Sequence, residues 1–468
     1  MFRSRSIVLP LTVLFAAIAG MLYCYPMPQI SWDSNYYVWQ SVHLPPSVRP
    51  IGYALFLRIV YAFSTSIYLI EALQFLLYSG SGLLLIYTLA GLNWVRRSWI
   101  YVLLMLVLLE PAGLYSCINI LSDCLFSGCT LCYVSSLIAF IRTRKSHWFY
   151  LHLAALAACL QLRHIALFYP VPSIVILLLI TTPVTRKLIQ IGALTLLTVG
   201  LYRFDIWRNI RHYNVAVQTP FSGWTQTNNS LFAVMGLQQE GRPFESLNAG
   251  PELDSLHRYF YEYLDTMSFQ PLPVTTDFLW TEKSPMVQLE RAYAPNHPEE
   301  WGGWYALADR FSRYGSAFQK QYPLAYFQYF IMPNLSSLWV PHNGEMTDYY
   351  LMPHPDATFQ SRYGVSDNFH CRIQLFKESI NGVQLRWHQL RLLLMVLAGP
   401  LVIAYGRRLP RSNQLVLLFL ALFIGFYYAA VLYITQVVPR HIIPVLQLET
   451  VFIFLTAATI TQHFRSKQ

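Results

Sequence analysis

Charge is what this chain has least of. Only 12% of its 468 residues are Asp, Glu, Lys or Arg, about half the share usual in a water-soluble domain, which disfavours a single soluble enzyme of this length. A disulfide framework is missing too. Six of the seven cysteines (Cys24, Cys117, Cys124, Cys129, Cys132 and Cys159) fall inside apolar runs, and only Cys371 lies in a long polar segment, so no pairing can be read from their spacing. Cys129 and Cys132 form a C-x-x-C with no second pair and no nearby His, and they read as packing residues.

What the chain has instead is apolar sequence: 55% of residues are hydrophobic and 16% aromatic, with a mean hydropathy of +0.37. A spanning helix needs roughly 20 mostly apolar residues, and ten runs qualify, at 7–25, 66–92, 98–112, 121–141, 148–162, 165–183, 188–204, 389–405, 413–433 and 441–461. Arg163 and His164 interrupt the fifth and sixth. The first run reads as an uncleaved helix from its length and the lack of a convincing small-x-small site before Tyr23. The expected fold class is therefore an all-α polytopic membrane protein with about ten transmembrane helices.

The net charge of +10 suggests a polyanion binder until the charges are located. Residues 205–386 hold 18 acids and 13 bases, net −5. The basic excess sits in short clusters between apolar runs: Arg3 and Arg5, Arg96 and Arg97, Arg142 with Arg144 and Lys145, Arg186 and Lys187, Arg407 with Arg408 and Arg411, and Arg465 with Lys467. With Met1 in the cytoplasm every cluster falls on that side, as the positive-inside rule requires. Both termini are then cytoplasmic, and no nucleic-acid partner is implied.

Three regions follow. Residues 1–204 form an N-terminal module of about seven spans with an outer loop at 26–65; residues 205–388 form a mixed, mostly helical extracytoplasmic domain; residues 389–468 form a C-terminal module of about three spans. The domain shows an amphipathic helix near 253–266, helical pattern near 304–330, and no strict period-2 runs or repeats. Its tryptophans, Trp224 among them, suit sugar stacking, a domain core or a membrane interface. The stretch Phe221 to Asn229 offers hydroxyl and amide groups for a cleft rim, or a capped polar loop.

Charges beside a membrane core tend to be functional, and outside 205–386 only five acids exist: Asp33, Glu71, Glu110, Asp123 and Glu449. Asp33 and Asp123 fall at outer helix starts, where each suits an N-cap or a carboxylate aimed into a cleft. Arg49, Arg58, Arg163 with His164, and Arg440 with His441 fall near the outer face, against the positive-inside trend. A phosphate at the interface would account for them, since Arg binds phosphate oxygens bidentately; pairing with nearby acids is the plainer explanation.

Asp33-Ser34-Asn35-Tyr36-Tyr37, then Arg49-Pro50-Ile51-Gly52-Tyr53-Ala54-Leu55-Phe56-Leu57, then Ser122-Asp123 and Val438-Pro439-Arg440-His441 together resemble the GT-C superfamily of membrane glycosyltransferases, of the protein mannosyltransferase and aminoarabinose transferase type. The resemblance covers the helical frame and first loop. Ser34 stands where many members carry a second acid, so the loop lacks an Asp-x-Asp and a divalent metal is not expected there. His342, Glu345, Asp348, His354 and Asp356 are ligand types without a ligand spacing.

The resemblance implies a sugar carried from a polyprenyl-phosphate donor, as co-substrate, to an extracytoplasmic glycan, lipid or protein, in the bacterial inner membrane. Asp33 and Asp123 are then the catalytic carboxylates. Arg440, Arg163, Arg49, His164 and His441 hold the donor phosphate, and Tyr36, Tyr37, Tyr53 and Trp224 contact substrate. Asp33, Asp123, Arg163 and Arg440 should meet in one outward cleft. The alternative is a transporter or flippase of a lipid-linked saccharide, which would keep ionisable groups near the midplane and often show repeated halves; the lone charges cluster near one face instead and no repeat is visible, which disfavours it and leaves Glu71 and Glu449 without a role. Asn228 and Asn334 sit in N-x-S patterns, the acceptor signal for glycosylation.

Overall fold

The computed structural model describes residues 4–92, 94–267, 274–341, 355–365, 372–373 and 378–465. Each of the ten apolar runs is helical. The N-terminal part comprises α1 (Ser4–Cys24), α2 (Trp32–His43), α3 (Gly52–Phe63), α4 (Ile67–Ala90), α5 (Arg97–Leu108), α6 (Pro111–Cys117), α7 (Ser122–Thr143), α8 (Ser146–Leu162), α9 (Pro170–Leu179) and α10 (Val184–Tyr213). The C-terminal part comprises α17 (Glu378–Gly406), α18 (Arg411–Ile434) and α19 (Pro439–Arg465). Among the described residues there is no strand, and one parallel bridge pairs Gln29 with Asn119.

Six of these helices are long and apolar enough to cross a membrane, or seven when α5 and α6, bent by 48° at Glu110, count as one. That is fewer than the ten expected. The reason lies in the breaks: Pro111 starts a new helix after Glu110, because proline cannot continue the preceding hydrogen-bond ladder. Arg163, in extended conformation, separates the 17 residues of α8 from the 10 of α9. At 1.5 Å per residue these reach roughly 26 and 15 Å, short of a ~30 Å hydrocarbon core.

The basic clusters gather at one end of the bundle, where they meet residues of neighbouring helix ends. Arg186 donates to the Arg144 carbonyl at 2.8 Å, Gln462 to the Trp94 carbonyl at 2.9 Å, and Arg408 meets His463 at 2.8 Å. The starts of α2, α7 and α19 and the end of α8 lie at the opposite end, where Asp33, Asp123, Arg163 and Arg440 meet.

Beyond that end stands a second hydrophobic core built by α11 (Pro220–Gln239), α12 (Pro251–Thr266), α13 (Pro285–Tyr293) and α14 (Gly302–Gln321). The amphipathic patterns near 253–266 and 304–330 correspond to α12 and to α14 with the helical run that follows it into α15 (Met332–Trp339). Helices α11 and α14 touch through glycines: a Cβ at Gly223 would overlap the Ala308 carbonyl, and one at Gly315 would overlap Gln226. Trp224 fills this core, stacked on Trp304 at 4.0 Å and donating its Nε1–H to the Trp304 carbonyl at 3.0 Å.

Candidate functional site

Helix α2 begins with a reciprocal cap. Ser31 N–H donates to Ser34 Oγ at 2.9 Å and Ser34 N–H donates to Ser31 Oγ at 3.4 Å. The cap is therefore Ser31, not Asp33, and Ser34 is occupied in closing it. Asp33 sits in the first turn with its carboxylate free to point away, and Asp123 holds the same position in α7, whose cap residue is Leu121. A helix N-terminus favours negative charge, and Asp33 stands at one.

Cations meet them from elsewhere in the chain. Arg49 Nη2 lies 2.5 Å from Asp33 Oδ1, and Arg440 Nη1 lies 3.4 Å from Asp33 Oδ2. Arg163, at the end of α8, lies 2.7 Å from Asp123. Burial alone pushes the Asp33 carboxyl up, but Arg49, Arg440 and Arg163 outweigh it and hold the group below the usual carboxylate range. Burial likewise works against the Arg49 charge, and Asp33 more than offsets it, so Arg49 is raised. Asp33, Asp123 and Arg440 line one cleft of about 200 Å³, together with Gln29, Trp32 and Asn119.

The core built by α11 to α14, outer in the sense that it stands beyond the cleft end of the bundle, holds both arginines of Asp33 in place. Tyr305 donates to the Ser47 carbonyl at 3.0 Å and Thr219 to the Val48 carbonyl at 2.9 Å, fixing the strand of chain that carries Arg49. Asn334, fully buried, donates to the carbonyls of Leu432 (2.9 Å) and Thr435 (2.7 Å) and accepts from Val437 N–H (2.9 Å). That grips the turn leading into Pro439 and Arg440. Gly52 lets α3 close onto the end of α8, since a Cβ there would overlap the Gln161 carbonyl.

The remaining expected residues serve the frame. Tyr37 meets Ser122 Oγ at 3.0 Å, and Tyr53, fully buried, donates to Gln74 Oε1 at 2.9 Å. Tyr36 packs on Trp39 and Trp301, joining the first loop to the outer core. Trp224 is fully buried in that core, and the Phe221–Asn229 stretch is the start of α11 with Thr225, Thr227, Asn228 and Asn229 buried. None of Tyr36, Tyr37, Tyr53 and Trp224 lines the cleft. His164 and His441 lie beside the pairs but outside the lining, with Nδ1 engaged by Gln218 (3.1 Å) and the Gln436 carbonyl (3.0 Å). Asn228 and Asn334 are buried in the folded chain, where a glycan cannot be accommodated.

Trp32 is a residue that sequence reasoning missed at the cleft: it is 74% exposed beside Asp33, and its indole is a flat face of the kind that stacks on sugars. Among the described residues no group of three or more His, Cys, Asp or Glu suits a metal ion. His342, Glu345, Asp348 and His354 lie outside the described residues, and Asp356 caps α16 (Ala357–Tyr363) through Phe359 N–H at 2.7 Å.

No family model, curated protein or solved structure matches the chain. The function therefore has to be argued from the geometry. A second charged group bears on that argument: Arg391 of α17 lies 2.5 Å from Glu110 and 3.5 Å from Glu449, with Tyr428 donating to Glu449. All three charged side chains are buried. Sequence reasoning noticed the two acids without finding their cation.

Proposed function

We propose that this chain is an integral membrane glycosyltransferase of the GT-C type, with about ten spans. It moves a sugar from a polyprenyl-phosphate-linked donor to a glycan, lipid or protein acceptor on the outer side of the bacterial inner membrane. The observation that carries the reading is Asp33 held between Arg49 and Arg440 in a cleft that also contains Asp123, at the end of the bundle opposite the basic clusters.

The chemistry follows from charge. A sugar phosphodiester loses its sugar by releasing a phosphate that gains a negative charge, so cations at that phosphate stabilise the transition state more than the ground state. Arg440 and Arg163 are placed for this. Asp33, while bound by two arginines, is a weak base. A donor phosphate that draws Arg440 to itself removes one of those constraints and raises the basicity of Asp33 toward the acceptor hydroxyl. Donor binding thus readies the base. Attack from the face opposite the phosphate inverts the anomeric centre, and Asp123 orients the acceptor or donor hydroxyls.

The test is sugar transfer by the purified protein from a panel of polyprenyl-phosphate sugars, with Asp33→Asn and Arg440→Ala beside the parent. Full activity in Asp33→Asn removes the proposed base. Translocation of a lipid-linked saccharide without transfer would instead favour a transporter, the reading supported by the charges of Glu110, Arg391 and Glu449 inside the bundle.

A further inference from the structure

The segment between α6 and α7 forms one wall of the cleft, contributing Asn119, Leu121 and Asp123. Its two ends carry cysteines: Cys117 closes α6 and Cys124 lies in the first turn of α7. Both are fully buried, and their sulfurs are 3.3 Å apart. Their other contacts are weak, Cys117 with the Gly113 carbonyl at 3.3 Å and Cys124 with the Gln74 carbonyl at 3.5 Å.

We propose that Cys117 and Cys124 are joined in the cell as a disulfide that fixes this wall of the cleft. A disulfide requires the sulfurs at about 2.05 Å, so the pair must close by roughly 1.2 Å, a movement that small rotations of two short side chains supply. The backbone is already held in a suitable form. Gln74 donates to the Cys117 carbonyl at 2.8 Å and to the Asn119 carbonyl at 2.9 Å, and the Gln29 bridge pins Asn119 from the other side. The bond would fasten residues 118–123 at both ends and so restrict the position of Asp123 against Arg163.

The step is thiol–disulfide exchange. Both S–H bonds of the cysteine pair break, one Sγ–Sγ bond forms, and an external protein or small-molecule disulfide is reduced to two thiols, taking the two electrons and two protons. It rests on the outward orientation given under the proposed function, since disulfides persist on the oxidising side of the membrane. Burial means that the bond forms before the helices finish packing and is shielded from reductants afterwards.

The experiment is mass spectrometry of the full-length protein, purified without reductant, unfolded in the presence of an alkylating agent and digested. The expected result is a linked species containing Cys117 and Cys124, which gains two hydrogens and becomes alkylatable only after reduction. Alkylation of both thiols without reduction overturns the proposal. Refolding that reduced protein from denaturant in a glutathione redox buffer, so that the oxidant reaches both thiols before they are buried, then separates the two causes. If the pair joins, the geometry is right and the outward orientation is wrong; if it does not, the geometry is wrong and the orientation is untouched.

Discussion

Arg440 and Glu449 are nine residues apart on α19, about 14 Å along its axis, yet they belong to clusters with opposite access to water. In the cleft, the side chains of Asp33, Arg49 and Arg440 are 22%, 21% and 30% exposed. In the bundle, Arg391, Glu110 and Glu449 are 1%, 1% and 0% exposed. The residue types are the same and the consequence differs. Partly exposed ions can exchange one partner for a ligand at small cost, whereas dry ions can only be paired with each other. The cleft set is suited to binding, and the dry set to holding α17, α19 and the break at Glu110 together.

The sharpest way to break this division is Arg391→Met, which leaves Glu110 and Glu449 facing each other without a cation. The expected loss is about 3–5 kcal/mol of stability, read as a large fall in thermal midpoint in detergent, with much of it recovered when Glu110→Gln and Glu449→Gln are added. A variant as stable as the parent would remove the structural role. Asp33→Asn is the counterpart in the cleft: stability is expected within about 1 kcal/mol of the parent, while the transfer rate falls by roughly 10²–10⁴. Unfolding of that variant would erase the contrast.

Asn334→Ala probes the link between the outer core and the cleft. It deletes three buried hydrogen bonds to the turn before Arg440, with an expected loss of about 1–3 kcal/mol and a raised donor KM in steady-state kinetics. The smallest effect concerns pH. Burial of His257 in the outer core lowers its pKa from 6.5 to about 4, so the unfolded chain binds the proton first. Stability is then full above pH 6.5 and falls as the pH drops toward about 4, by about 1 kcal/mol at pH 5.5. Melting curves between pH 7 and 5 check this, and His257→Phe should flatten them.

The helices were legible because apolar runs and basic ends leave few alternatives in a chain this poor in charge. The same scarcity exposed Asp33, Arg49, Asp123, Arg163 and Arg440, and the chain brings them into three ion pairs, two sharing the Asp33 carboxylate, at one end of the bundle. Arg391 escaped notice because it stands at the polar edge of its run, near Arg386 and His388. Two unpaired acids on facing spans were the signal for a missing cation. Trp224 and Tyr53 were ambiguous for the opposite reason: an aromatic ring suits a core and a ligand equally, and here both rings are buried. Gln29 and Asn119 meet across about 90 residues of chain, a pairing that no local pattern encodes.

The central claim is that the cleft charges receive a lipid phosphate. Its most direct test is the thermal stabilisation of the purified protein by added polyprenyl monophosphate, the expected leaving product, measured for the parent, Arg440→Ala and Arg391→Met. The account predicts a dose-dependent rise in midpoint for the parent, a much smaller rise for Arg440→Ala, and a parent-like rise from a lower starting midpoint for Arg391→Met. An equal rise in the parent and Arg440→Ala would contradict it.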